Sequence, residues 1–127
     1  WNASRDARAI DDAYAAFPRD RFVVKRFVWS HAYMAIRFVD DPRLAPKWEG
    51  ADRTKNLKLV ADLPAGTLVF WDAHVGPSWY GLTDADFQRA GFERVLSRSY
   101  QLRSRWSPGW EGEGLVRRQE MHLLYKR

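Results

Sequence analysis

The chain has 127 residues, 46% apolar and 15% aromatic, with 21 basic and 16 acidic side chains and a formal net charge of +5. That length fits one domain over residues 1–127 and leaves no room for two ordinary ones. It contains no Cys, which excludes disulfides, thiolate zinc sites and a cysteine nucleophile.

Seven Trp, seven Phe and five Tyr supply large buried areas, so the fold needs no metal or disulfide to form. The basic excess is small and spread along the sequence. It favours solubility and weak attraction to anionic partners, but a nucleic-acid binder usually clusters its charge on one element, so no nucleic acid is expected. No stretch approaches the ~20 apolar residues of a membrane span, and no signal peptide is visible. The chain opens on Trp1 rather than Met, as a processed form, an excised domain or a partial reading frame would.

Ser4 can cap a helix running to about Phe17, with Ile10, Ala13, Tyr14 and Phe17 on one apolar stripe. Pro18 and the Arg19-Asp20 pair end it. Arg21 to Trp29 is rich in β-branched and aromatic residues and reads as a strand. Ser30 to Phe38 reads as a short helix with Tyr33 and Met34 facing inward, and Asp40 to Arg53 as a loop. Thr54 to Leu63 is predicted helical, with Leu57, Val60 and Ala61 on one side, and stops at Pro64 because proline pushes its predecessor out of the α region.

Gly66 to Asp72 is the strongest element. Its unbroken apolar run predicts a strand buried on both faces, as in the middle of a parallel sheet. Ala73 to Gly81 reads as a turn-rich loop. Thr83 caps the next helix, with Asp84 and Asp86 in its first turn, Leu82 stapled against Phe87, and Gly91 closing it in the left-handed conformation. Phe92 to Tyr100 and Gln119 to Tyr125 are the last strands, joined by an irregular connection over 104–114. Helices alternating with strands predict an α/β three-layer sandwich around a small, largely parallel sheet of about four strands, to which the last two strands can add an antiparallel edge.

The candidate chemistry gathers behind the buried strand, in Trp71-Asp72-Ala73-His74-Val75-Gly76-Pro77-Ser78-Trp79-Tyr80. Ligands of open α/β sheets bind where strands end at their carboxyl side. Asp72 and His74 stand there, and a carboxylate with an imidazole can form an acid/base pair or begin a metal site. Trp71, Trp79 and Tyr80 can stack on the apolar face of a sugar. The plainer account has Asp72 capping loop N–H groups and His74 bonding locally. No companion ligands appear elsewhere, so neither metal nor cofactor is assigned. His31 and Tyr33 follow the first strand, and His31 shares a rim with Asp72 if the two strands are neighbours. His122 reads as a facing side chain only. Dinucleotide, nucleotide-phosphate and nucleophile-elbow motifs are all missing.

The stretch Leu63-Pro64-Ala65-Gly66-Thr67-Leu68-Val69-Phe70-Trp71-Asp72-Ala73-His74-Val75-Gly76 resembles the C-terminal water-soluble region of bacterial membrane glycosyltransferases related to dolichyl-phosphate-mannose protein mannosyltransferases. There a Leu-Pro-x-Gly turn leads into an apolar strand ending in Trp-Asp, then a small residue, His and a Gly-containing loop. The preceding helix, the strand Phe22–Trp29, Ser30-His31-Ala32-Tyr33 and Asp40-Asp41 are similar too. The resemblance runs from the first helix to Tyr100 and is distinctive over Pro64–Gly76, while residues 104–114 depart from it.

It implies an extracytoplasmic domain that follows membrane helices of the same polypeptide and serves transfer from a polyprenyl-phosphate-linked sugar to a glycan acceptor. The family's catalytic acid lies in a loop between membrane helices with no counterpart here, so no catalytic residue carries over. Two other readings stay open: a free-standing carbohydrate- or small-ligand-binding module, and a small enzyme using Asp72 with His74 or His31.

Overall fold

A computed structural model describes residues 3–29, 40–44, 48–73, 76–103 and 116–127. The elements are α1 (Ala3–Ala16), β1 (Arg26–Trp29), α2 (Arg53–Asp62), β2 (Thr67–Asp72), α3 (Gly76–Tyr80), α4 (Asp84–Arg89), β3 (Phe92–Arg103) and β4 (Val116–Lys126). The fold is mixed α/β around a four-stranded open sheet in the order β1-β2-β4-β3.

The β1–β2 pair is parallel, whereas β2–β4 and β3–β4 are antiparallel. The largely parallel sheet expected above is thus corrected to a mixed one, and antiparallel pairing is no mere edge. The last strand, β4, folds back between β2 and β3 and occupies the interior. The cause is connectivity: β3 and β4 form a hairpin, which can only be antiparallel, and the hairpin docks by its second strand.

Every residue of β2 is buried, as its apolar run requires, and neighbours flank it on both sides. Alternate side chains enter two separate clusters. Leu68 and Phe70 join Ile10 and Ala13 of α1, Phe17 just after it, Phe22, Phe27, and Met121, Leu123 and Tyr125 of β4. Val69 and Trp71 join Trp48, Val60, Leu63, Leu82, Phe87, Phe92 and Leu124 on the other side.

Local rules account for most element ends. Helix α1 opens at Ala3, so Ser4 lies inside it rather than capping it, but the predicted stripe of Ile10, Ala13 and Phe17 is buried, with Tyr14 packed alongside. Strand β1 is shorter than expected and begins at Arg26. Ahead of it, the chain turns where the Arg21 and Phe22 N–H groups donate to the Pro18 carbonyl, and pairing starts only where Lys25 donates to Gly66. Asp52 caps α2, accepting from the Lys55 N–H at 3.1 Å. On its inner face Asn56 and Val60 are buried while Ala61 is exposed, so a polar side chain takes a place the apolar pattern gave elsewhere.

The turn into β2 is built by Gly66, at φ +89°, whose N–H donates to the Lys126 carbonyl at 2.7 Å. Thr67 Oγ1 donates to the Pro64 carbonyl at 2.6 Å and tightens the same turn. The stretch expected as loop after β2 contains α3. Gly91, at φ +94°, closes α4 as its left-handed end. The Ser30–Phe38 helix and the connection over 104–114 lie outside the described residues.

Candidate functional site

Trp29 pairs with Phe70 in the parallel β1–β2 ladder, so the chain leaving β1 and the chain leaving β2 emerge on one rim of the sheet. The condition for His31 to share a rim with Asp72 is met. His31, Tyr33 and His74 themselves lie outside the described residues.

Trp71 is fully buried and forms the floor of this rim. Its indole meets Phe87 at 4.8 Å between centroids and Trp48 and Tyr80 at 6.1 Å each, mostly edge-on or tilted, the arrangements ring quadrupoles prefer. Gly76 lies directly on that indole. A Cβ at position 76 would come within 2.5 Å of the Trp71 ring. The spacing from Trp-Asp to the following Gly is therefore a packing requirement: the first turn of α3 can cross the rim only without a side chain. Among the described residues, the buried Trp71 Nε1–H has no hydrogen-bond partner.

Asp72, 2% exposed, ends the strand opposite Met121. The next N–H, of Ala73, continues the ladder to the Glu120 carbonyl at 2.9 Å. The Tyr80 phenol titrates above its ordinary range, first because it is half-buried and second because the Asp72 charge disfavours a phenolate beside it. Trp79, by contrast, is 47% exposed and meets Tyr80 edge-on at 6.3 Å. Trp71, Asp72 and Tyr80 thus come together, and Trp79 stands outside them facing solvent. Trp79 offers an exposed apolar face for stacking and Tyr80 a phenol beside it, while Asp72 stands buried and acts on the phenol electrostatically.

Sequence reasoning missed the polar pins that hold α2, α3 and α4 in place. Asp86 is buried, and its carboxylate accepts from both Arg53 terminal nitrogens at 2.8 and 3.0 Å, from Arg89, and from the Thr83 N–H at 2.8 Å. These donors, Arg53 foremost, hold its carboxyl far below the usual carboxylate range despite burial. Arg53 also donates to the Gly81 carbonyl at 2.7 Å. Asn56, fully buried, donates to the Gly50 and Tyr80 carbonyls and accepts from the Glu49 N–H. The Thr83-x-x-Asp86 spacing was the one available signal, and it marked a helix start rather than an ion-pair centre.

His122 is likewise more than a facing side chain. It is 3% exposed and sits across the ladder from Trp71. Asp84 Oδ2 lies 2.9 Å from its Nδ1, but off the line a hydrogen bond needs, so neither ring nitrogen has such a partner. Among the described residues no group of three or more His, Asp or Glu is placed to hold a metal ion, and no helix is long and apolar enough to cross a membrane. Compared with known proteins, the chain matches no family model, no curated protein and no solved structure.

Proposed function

We propose that this chain is an extracytoplasmic accessory domain of a membrane-bound glycosyltransferase that uses a polyprenyl-phosphate-linked sugar, and that it is not catalytic alone. The observation that carries the reading is the seating of Gly76 on the Trp71 indole. It explains the Trp-Asp-x-His-x-Gly pattern, on which the resemblance rests, as a device that shapes a rim rather than as reacting groups. In this reading the membrane-helix portion of the same polypeptide supplies catalysis, and Trp79 faces the lipid-linked sugar or the glycan acceptor with Tyr80, Asp72 and Trp71 behind it, while His31, Tyr33 and His74 join the ligand-binding set on the sequence pattern alone. The architecture is taken as three layers, with α1 over one face of the sheet and α2 and α4 over the other. The two separate apolar clusters support that.

The test has two parts. The flanking coding sequence should encode several apolar segments of spanning length. Membranes carrying the full-length protein should transfer sugar from a polyprenyl phosphate, while the 127-residue chain alone transfers none. Turnover by the isolated chain, or a cytosolic reading frame starting near Trp1, overturns the proposal.

A second reading, a free-standing carbohydrate-binding module, is favoured by the exposure of Trp79 beside a buried carboxylate. It requires that sugars perturb the tryptophan fluorescence of the isolated chain and that Trp79→Ala abolish the response.

A further inference from the structure

At the opposite end of the sheet, the segment between α1 and β1 presents an apolar side chain flanked in sequence by cations that have no carboxylate partner, one of which, Arg19, lies over the Tyr14 ring at 4.9 Å. Val23 is 68% exposed, the largest exposure among the described large hydrophobic residues, while its neighbour Phe22 is buried. An exposed valine alone is ordinary. Here the backbone holds it out. The Tyr125 hydroxyl donates to the Val23 carbonyl at 2.8 Å, and the Phe22 ring is clasped by Phe17 and Tyr125 at 5.7 and 5.0 Å. The segment therefore cannot roll Val23 inward without losing a buried ring and a hydrogen bond.

Arg19, Arg21, Lys25 and Arg26 are all exposed around it, and Asp20 is the one acid between 18 and 27. Among the described residues no carboxylate lies within salt-bridge distance of any of these four cations. The other arginines with exposed side chains at positions 43, 53, 89, 94, 98 and 127 each face a carboxylate. Arg8, Lys55 and Lys58 are also exposed without such a partner, but among the described residues only the 19–26 segment sets four such cations, within eight positions, around an exposed large aliphatic side chain.

We infer that this segment is a peripheral contact for the surface of an anionic lipid bilayer. Each cation near such a surface is attracted to its negative potential, and an aliphatic side chain between them can enter the boundary between headgroups and acyl chains. A nucleic acid would draw on exposed rings for stacking, and the aromatic residues at this end, Phe22, Phe92 and Tyr125, are buried. The inference does not depend on the glycosyltransferase reading, since it concerns the charge and shape of one surface and needs no anchor elsewhere.

The test is co-sedimentation of the 127-residue chain with vesicles of phosphatidylglycerol and phosphatidylcholine, compared with vesicles of phosphatidylcholine alone. Binding should occur only with the anionic lipid and weaken with salt. The double variant Arg21→Glu/Lys25→Glu should lose at least about tenfold in affinity. A charge-matched control, Arg8→Glu/Lys55→Glu, should bind almost as well as the parent. Val23→Asn should weaken binding further at every salt concentration. Absence of binding to anionic vesicles, equal losses in both double variants, no effect of Val23→Asn, or equally tight binding to single-stranded DNA would each overturn the inference. All five positions are exposed, so the far-ultraviolet circular dichroism spectrum should not change. Turnover of a sugar donor by the isolated chain would sink the proposed function and leave this one standing.

Discussion

The two faces of the sheet are built on different principles. Under α1 the core is almost purely apolar, with Ile10, Phe17, Phe27, Phe70 and Leu123 in contact. On the other face, alongside Trp48, Trp71 and Phe87, lie the buried polar groups Asn56, Asp86 and His122. The difference follows from chain ends. Among the described residues, the first cluster takes its helical side chains from one 14-residue helix, which brings few termini with it. The second takes its helical side chains from three shorter helices, of 10, 5 and 6 residues. Each terminus leaves backbone groups without helical partners, and burying them uncompensated is costly. Polar side chains are drawn inside to meet them: Asn56 serves Tyr80 at the end of α3, and Asp86 and Arg53 serve Thr83 and Gly81 ahead of α4. The candidate site lies where the two faces meet at the rim, with Trp71 on the second face and Asp72, two residues after Phe70 and opposite Met121, on the first.

The sharpest way to break the comparison is to remove one ring from the apolar face. Phe70→Ala empties a fully buried position between Phe27 and Tyr14 and should cost about 3–5 kcal/mol in urea unfolding. This loss should be independent of pH near neutrality, because no charge is involved. Next in size is Asp86→Asn on the polar face. It removes the negative charge and one of the two acceptor oxygens facing the arginines and should cost about 1.5–3 kcal/mol, discounted toward the lower figure because Arg53 and Arg89 are half or more exposed.

This second loss has a pH signature. The folded carboxyl is held below its ordinary value of 3.8, so its stabilisation is complete above about pH 5 and declines as pH falls below the unfolded value toward the folded one. The gap between parent and Asp86→Asn should therefore narrow in acid. A gap that stays constant down to pH 3 would mean that Asp86 acts by shape alone.

These two residues also show what the sequence could and could not convey. Phe70 and the whole of β2 were legible because an unbroken apolar run has one good solution, burial on both sides. The stripe on α1, the turn at Pro64–Gly66, and the start and stop of α4 were legible because each rests on residues within a few positions. Strand order was not, since the choice of hairpin strand to dock on β2 is a long-range matter that no local pattern encodes. Asn56 was not singled out and Asp86 read only as a first-turn acid, because their partners lie up to 33 positions away. The cations flanking Val23 stand together at positions 19–26 and were legible as such, but that Val23 is held out while Phe22 is buried shows only in the structure. At the rim, Trp71, Asp72 and Tyr80 were found from the strand's carboxyl end, but the reason for Gly76, contact with an indole five positions earlier, was not.

Gly76→Ala examines that contact with a smaller expected effect. The added methyl must displace the Trp71 ring, at about 1–2 kcal/mol, with a change in tryptophan fluorescence that Phe70→Ala does not reproduce. Wild-type stability with an unchanged emission spectrum would detach the glycine from the indole and weaken the structural explanation of the motif.

The smallest effect bears most directly on the site. Tyr80 should ionise later than an exposed tyrosine because it is half-buried and because Asp72 is negative nearby. Following phenolate absorbance as pH rises, Tyr80→Phe should remove one late-titrating group and so identify it. Asp72→Asn should then move that group to lower pH, since removing a negative charge makes a neighbouring phenolate easier to form. Burial would be left as the remaining cause, so the return toward the ordinary value of 10.0 should be partial. If Asp72→Asn leaves the titration where it was, the carboxylate does not act on the phenol. The rim then keeps an exposed indole and a phenol, with no part for the buried carboxylate in its chemistry.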